Sequence, residues 1–256
     1  MIRTLCRYSS LRRAALALLL IGMPAAVRAA SISYLAVGPI PPGVMFTNIV
    51  ESSATDGVPL YGAPSPIVVG LDFSPTPAFS AFSSNGGADL TDGQLNFTIM
   101  AGPGSGGIPL INFSEGGLFT LAGAGTPATQ VLAGAILRAT VLEINGAPVA
   151  PINLAPINAS VAFNLVTDPG LNQPWSLSLS LDVASQLAFL GFGPNQIATK
   201  ADVVINNALV AISEPMTVAQ ISKSDFDVTL MPEPASCLLL GMALCGIGLA
   251  RGVRKA

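Results

Sequence analysis

Few side chains in this 256-residue chain could carry chemistry, and their types narrow what that chemistry can be. There is no histidine, so His-based nucleophile triads and His-containing zinc sites are excluded. The three cysteines, Cys6, Cys237 and Cys245, all lie in the terminal segments. Between residues 30 and 230 the only bases are Arg138, Lys200 and Lys223, set against thirteen Asp and Glu. A nucleophile needs a base beside it, which leaves paired carboxylates as the main catalytic option, because glycoside hydrolysis requires only two. Asp225 and Asp227 share one strand face and read as the wet face opposite Phe226, Val228 and Leu230. Asp89 and Asp92 flank a turn signal, where their oxygens would serve the turn or, as the alternative, a calcium ion. The Gly-rich stretch 102–107 lacks the Lys-Ser/Thr ending of a phosphate loop and reads as a long loop. Trp175 could stack on a sugar, but its place in an alternating run makes it a core residue. Asn96, Asn112 and Asn158 head chance matches to the glycosylation pattern on polar strand faces. The expectation is therefore no catalytic residue, no metal and no cofactor.

The elements that must position these residues are short and alternating. In 175–183, Trp175, Leu177, Leu179, Leu181 and Val183 point one way while three serines and Asp182 point the other, the pattern of a half-buried strand. Runs 95–99, 161–165 and 226–230 share that period, and further strands are expected over 31–37, 44–50, 67–73, 108–113, 118–121, 137–144 and 201–210. Turn signals punctuate them: Asp56-Gly57, Asn85-Gly86-Gly87, Asp92-Gly93, Glu115-Gly116-Gly117, Asn145-Gly146 and Asp168-Pro169-Gly170. Only 183–190, and as a second option 130–137, could be helical. With 26 Gly and 21 Pro, the chain suits turns better than long helices. The spacing predicts an all-β, antiparallel β-sandwich of jelly-roll type over 30–230, in one domain.

Charge divides the chain into three. Residues 1–29 carry Arg3, Arg7, Arg12, Arg13 and Arg28 with no acid, whereas 30–230 has a net charge of −10. So acidic a body is repelled by phosphate backbones, which argues against nucleic-acid binding. The basic leader, the apolar run 14–23, Pro24 and the small residues 25–30 describe a secretory signal peptide, with cleavage between Ala29 and Ala30. Ten apolar residues rise only about 15 Å as a helix, too short for a membrane span.

The other end, 231–256, has three parts in fixed order: Pro232-Glu233-Pro234, an uncharged apolar run 235–250, and the basic cap Arg251, Arg254 and Lys255. Sixteen helical residues reach about 24 Å, enough for a single transmembrane helix with local thinning or snorkelling. The basic cap is the stop-transfer signal that stays cytoplasmic.

This tail resembles the PEP-CTERM sorting signal of bacterial surface proteins. The resemblance implies transient anchoring in the inner membrane, processing by an exosortase, and release to the cell surface or extracellular matrix, often alongside exopolysaccharide. It makes Pro232, Glu233 and Pro234 recognition residues for the processing enzyme; the family pattern does not include Cys237 and Cys245. The expected protein is a non-enzymatic, structural or exopolysaccharide-associated exported protein. The alternatives are a carboxylate-based glycan-active enzyme and a periplasmic binding module that keeps its membrane tether.

Overall fold

The computed structural model describes residues 30–41 and 43–231. The expected signal peptide with Ala29, the Pro232-Glu233-Pro234 motif, the apolar run and Arg251, Arg254 and Lys255 lie outside the described residues. Among the described residues no helix is long and apolar enough to cross a membrane.

Two antiparallel sheets make up the described residues. The larger runs β1 (Ala30–Ser33), β3 (Val44–Ser53), β7 (Gly87–Ala101), β13 (Ala198–Ser213), β9 (Gln130–Ile144) and β10 (Ala147–Asn153). Its edges are completed by β2 (Val37–Ile40) on β3 and β11 (Ile157–Asn164) on β9. The smaller runs β12 (Gly170–Asp182), β8 (Leu110–Gly123), β14 (Thr217–Met231), β5 (Gly70–Phe73) and β4 (Pro64–Ile67), with β6 (Ser80–Ser84) also on β14. The inward rows of both sheets meet in one apolar core. On β9 that row is Val131, Ala133, Ala135, Leu137, Ala139 and Val141; on β12 it is Trp175, Leu177, Leu179 and Leu181. Period-2 burial of this kind is what one wet and one dry face produce.

The all-β, antiparallel two-sheet body matches that part of the expected fold, and several local expectations hold. Asn145-Gly146 makes the tight β9–β10 hairpin, with both residues at positive φ. Asn85-Gly86 connects β6 to β7. The helix α1 (Val183–Phe189) starts where expected, and Asp182 caps it by accepting from the Ser185 N–H at 2.7 Å.

Others are corrected. Residues 130–137 are not helical; they continue β9 as strand. Asp92-Gly93 is not a turn but lies within β7, and Glu115-Gly116-Gly117 lies within β8, joining two expected strands into one. These glycines serve close approach. A Cβ on Gly93 would sit 3.0 Å from Tyr61 Cε2 and 3.1 Å from Phe79 Cζ, and one on Gly117 would run into the Ser222 carbonyl oxygen. The second of these lets β14 bulge. Lys223 pairs with Gly117 and Asp225 with Gly116, so Ser224 is the extra residue.

Candidate functional site

The bulge sets the geometry of the most unusual feature of the molecule. Before it, Thr217, Ala219, Ile221 and Lys223 point inward; after it, Phe226, Val228 and Leu230 do. Lys223 is thereby driven into the core. On β8 the inward row Ile111 and Phe113 continues to Glu115, and on β13 the row Val203, Ile205 and Leu209 is interrupted by Asn207. Three polar side chains from two sheets therefore converge among apolar neighbours.

Lys223 Nζ and Glu115 Oε2 form an ion pair in which both side chains are 0 % exposed. Asn207 Nδ2 donates to the same Glu115 Oε2 at 2.7 Å. The Tyr61 hydroxyl, itself fully buried, lies 2.8 Å from Asn207 Oδ1 and 2.9 Å from the Gly93 carbonyl, so its one proton is shared between two acceptors. Glu115 Oε1 has no partner. Rings close the rest of the shell: Lys223 Nζ stands 4.1 Å from the centroid of Phe79, 5.2 Å from Phe226 and 5.5 Å from Tyr61.

A second buried carboxylate, Glu51 on β3, anchors the segment that carries Tyr61. It accepts from the Leu60 and Tyr61 backbone N–H groups and from the Tyr34 hydroxyl, the last at 2.7 Å.

Burial dominates the electrostatics. It raises the Glu115 pKa even though Lys223 and Asn207 pull the other way, and it lowers that of Lys223 against the attraction of Glu115. Both shifts lower the cost of passing a proton from Lys223 to Glu115 within the pair. Burial also raises the Tyr61 hydroxyl, reinforced by Glu115, Glu51 and Asp92, so it remains a proton donor.

The carboxylates singled out from sequence lie elsewhere. Asp225 and Asp227 do share the outer face of β14, where Asp227 pairs with Asp72 across the β5 ladder. Ligand oxygens of Asp72, Asp225 and Asp227 lie within 4.8 Å of one another. Partial burial raises the Asp227 pKa, and the negative charges of Asp225 and Asp72 add to it. A raised acid pKa means that folding disfavours the ionised form. The penalty is complete above the raised value and absent below the ordinary aspartate range. Asp227→Asn is therefore expected to stabilise the protein at pH 7 by about 0.5 kcal/mol, as for other like-charged cross-strand pairs in solvent. Urea unfolding at pH 7 and pH 3 checks it, with the gain vanishing at the lower pH.

Asp89 and Asp92 do not flank a turn; three apart in one strand, they face opposite ways. Asp89 accepts from the Phe82 N–H at 2.7 Å. Asp92 accepts from Ser53 at the end of β3 and from Ala54 and Thr55 just after it. Partial burial opposes its ionisation, but those hydrogen bonds outweigh it and lower its pKa. Trp175 is buried and donates its Nε1–H to the Ser222 carbonyl at 3.0 Å.

No protein-family model matches this chain, and no curated protein matches it significantly. Among solved structures it is similar to the family 11 xylanase from Neocallimastix patriciarum, with 8% identity, 79% of this chain and 100% of that chain covered, and a TM-score of 0.22. It is also similar to the VP2 subviral particle of infectious bursal disease virus, with 10% identity, 73% and 43% covered, and a TM-score of 0.28. A lectin from Bauhinia forficata matches with 13% identity, 78% and 98% covered, and a TM-score of 0.22.

Proposed function

We propose that this chain is an exported cell-surface or extracellular-matrix protein whose jelly-roll-like body is structural rather than catalytic. The signal peptide 1–29 sends it out of the cytoplasm. The tail 231–256 then holds it in the inner membrane until an exosortase acts at Pro232-Glu233-Pro234, and exopolysaccharide is its expected surrounding. One observation supports a structural body above the others: among the described residues, the cluster of Glu115, Lys223, Asn207 and Tyr61 is sealed between the sheets, beyond the reach of an external substrate. The position of the motif agrees, since β14 keeps its ladder to Met231, one residue before Pro232. Two prolines around Glu233 disfavour helix, which suits capture in an enzyme cleft.

Intact mass of the protein recovered from its native producer tests both ends together. The expected product begins at Ala30 and lacks 235–256. A product that keeps 235–256 would replace sorting with permanent anchoring. Binding to the producer's own polysaccharide, without release of sugar, is the expected companion result.

A further inference from the structure

We infer that Lys223 and Asn207 join covalently: Lys223 Nζ attacks Asn207 Cγ, ammonia leaves, and the new amide links the two sheets, with Glu115 carrying the proton. This goes beyond the sorting proposal and does not depend on it. The geometry is on hand. Nζ and the Asn207 Nδ2 both rest on one oxygen, Glu115 Oε2, so amine and amide are held within two hydrogen bonds of each other. The acyl oxygen is also held, because the Tyr61 hydroxyl can donate to Asn207 Oδ1 at 2.8 Å, where negative charge develops as the amine adds.

The surroundings suit the reaction. An ammonium ion is not a nucleophile, and complete burial of Lys223 favours the neutral amine against the pull of Glu115 and of the ring faces around it. The same rings shield the tetrahedral adduct from water. Fixed neighbours replace a chance encounter, which is the largest obstacle to an amide exchange between unactivated groups.

The balance closes without any co-reactant. The ion pair first passes one proton from Nζ to Glu115, giving amine and carboxylic acid. A C–N bond then forms between Nζ and Asn207 Cγ. Glu115 protonates Nδ2 and takes up one of the two Nζ protons; the Cγ–Nδ2 bond breaks and ammonia departs. The Nζ keeps one hydrogen as a secondary amide, and Glu115 ends as a neutral acid. Nothing is oxidised or reduced. Two buried charges disappear, which removes the desolvation penalty they carry in the starting state.

Cyanogen bromide cleavage tests this directly, because Met216 lies between the two residues. The full chain is purified, kept folded at neutral pH, then denatured and cleaved. Without a link, the piece from Thr217 to Met231 is released from the piece spanning 101–216. With the link, the two stay joined and weigh one ammonia less than their sum. Succinimide formation at an asparagine also sheds ammonia, but it leaves the pieces separate, so joining is the decisive readout. Release of a free 217–231 peptide from the wild-type chain overturns the proposal. Glu115→Gln retains amine and amide but loses the proton carrier, and its pieces are expected to separate. Joined pieces in that variant would overturn the role given to Glu115.

Discussion

Glu115→Leu is expected to cost about 3–5 kcal/mol of folding stability, and adding Lys223→Met to it is expected to recover most of that loss. The single change strands Lys223 among Phe79, Phe226 and Tyr61 with no anion and no path to water. Such an amine must either unfold the strand that carries it or shed its proton, and either route draws on stability. Replacing both partners removes that choice. Leu and Met fill similar volume with apolar atoms, so the doubly substituted core has no uncompensated charge. Neither variant can form the Lys223–Asn207 amide, which makes their comparison independent of that link. Urea unfolding midpoints of the two variants check it. Equal midpoints would mean that Lys223 finds water or another anion once Glu115 is gone.

This pair also shows what the sequence can and cannot disclose. Alternation announces the sandwich where it is clean: from Trp175 to Asp182 β12 keeps a period of two, whereas the Ala- and Gly-rich 130–137 stretch of β9 also admits a helix when read alone. It also places Glu115 after Ile111 and Phe113, and Asn207 between Ile205 and Leu209, so two polar residues at dry positions are legible to anyone who extends those rows. Lys223 is different. Counted forward from Ala219 and Ile221 it falls inside; counted backward from Phe226 it falls on the wet face with Asp225 and Asp227. The bulge at Ser224 decides in favour of the first, and a bulge is a property of the pairing between β14 and β8. Gly116-Gly117 carries the matching signal, but glycines read locally suggest a turn. Only the opposing Ser222 carbonyl reveals that they admit a neighbouring backbone instead. Gly93 misleads in the same way, because the rings of Tyr61 and Phe79 that press on it come from far along the chain. Turn chemistry that acts within a few residues, as at Asn145-Gly146, is read correctly; turn residues used for long-range packing are not.

Phe226→Ala is the other change expected to have a large effect, about 3–5 kcal/mol. The ring is fully buried and sits at the centre of an aromatic cluster, 4.7 Å from Tyr61, 5.4 Å from Phe73 and 5.0 Å from Phe113 between centroids. The Tyr61 and Phe73 contacts are edge-to-face, at 78° and 87°, an arrangement that adds to simple burial because the positive ring edge meets the negative face. Truncation removes those contacts and leaves a void that two sheets locked in register cannot collapse to fill. Phe226 is also one of the rings around Lys223 Nζ, so the loss should couple to the ion pair. Phe226→Ala made in the Glu115→Leu/Lys223→Met background is therefore expected to cost less than in the wild-type core, since no Lys223 nitrogen then packs on the ring. A double-mutant cycle in urea measures the difference. Strict additivity would assign Phe226 to packing alone and leave the charge to be held by Phe79 and Glu115.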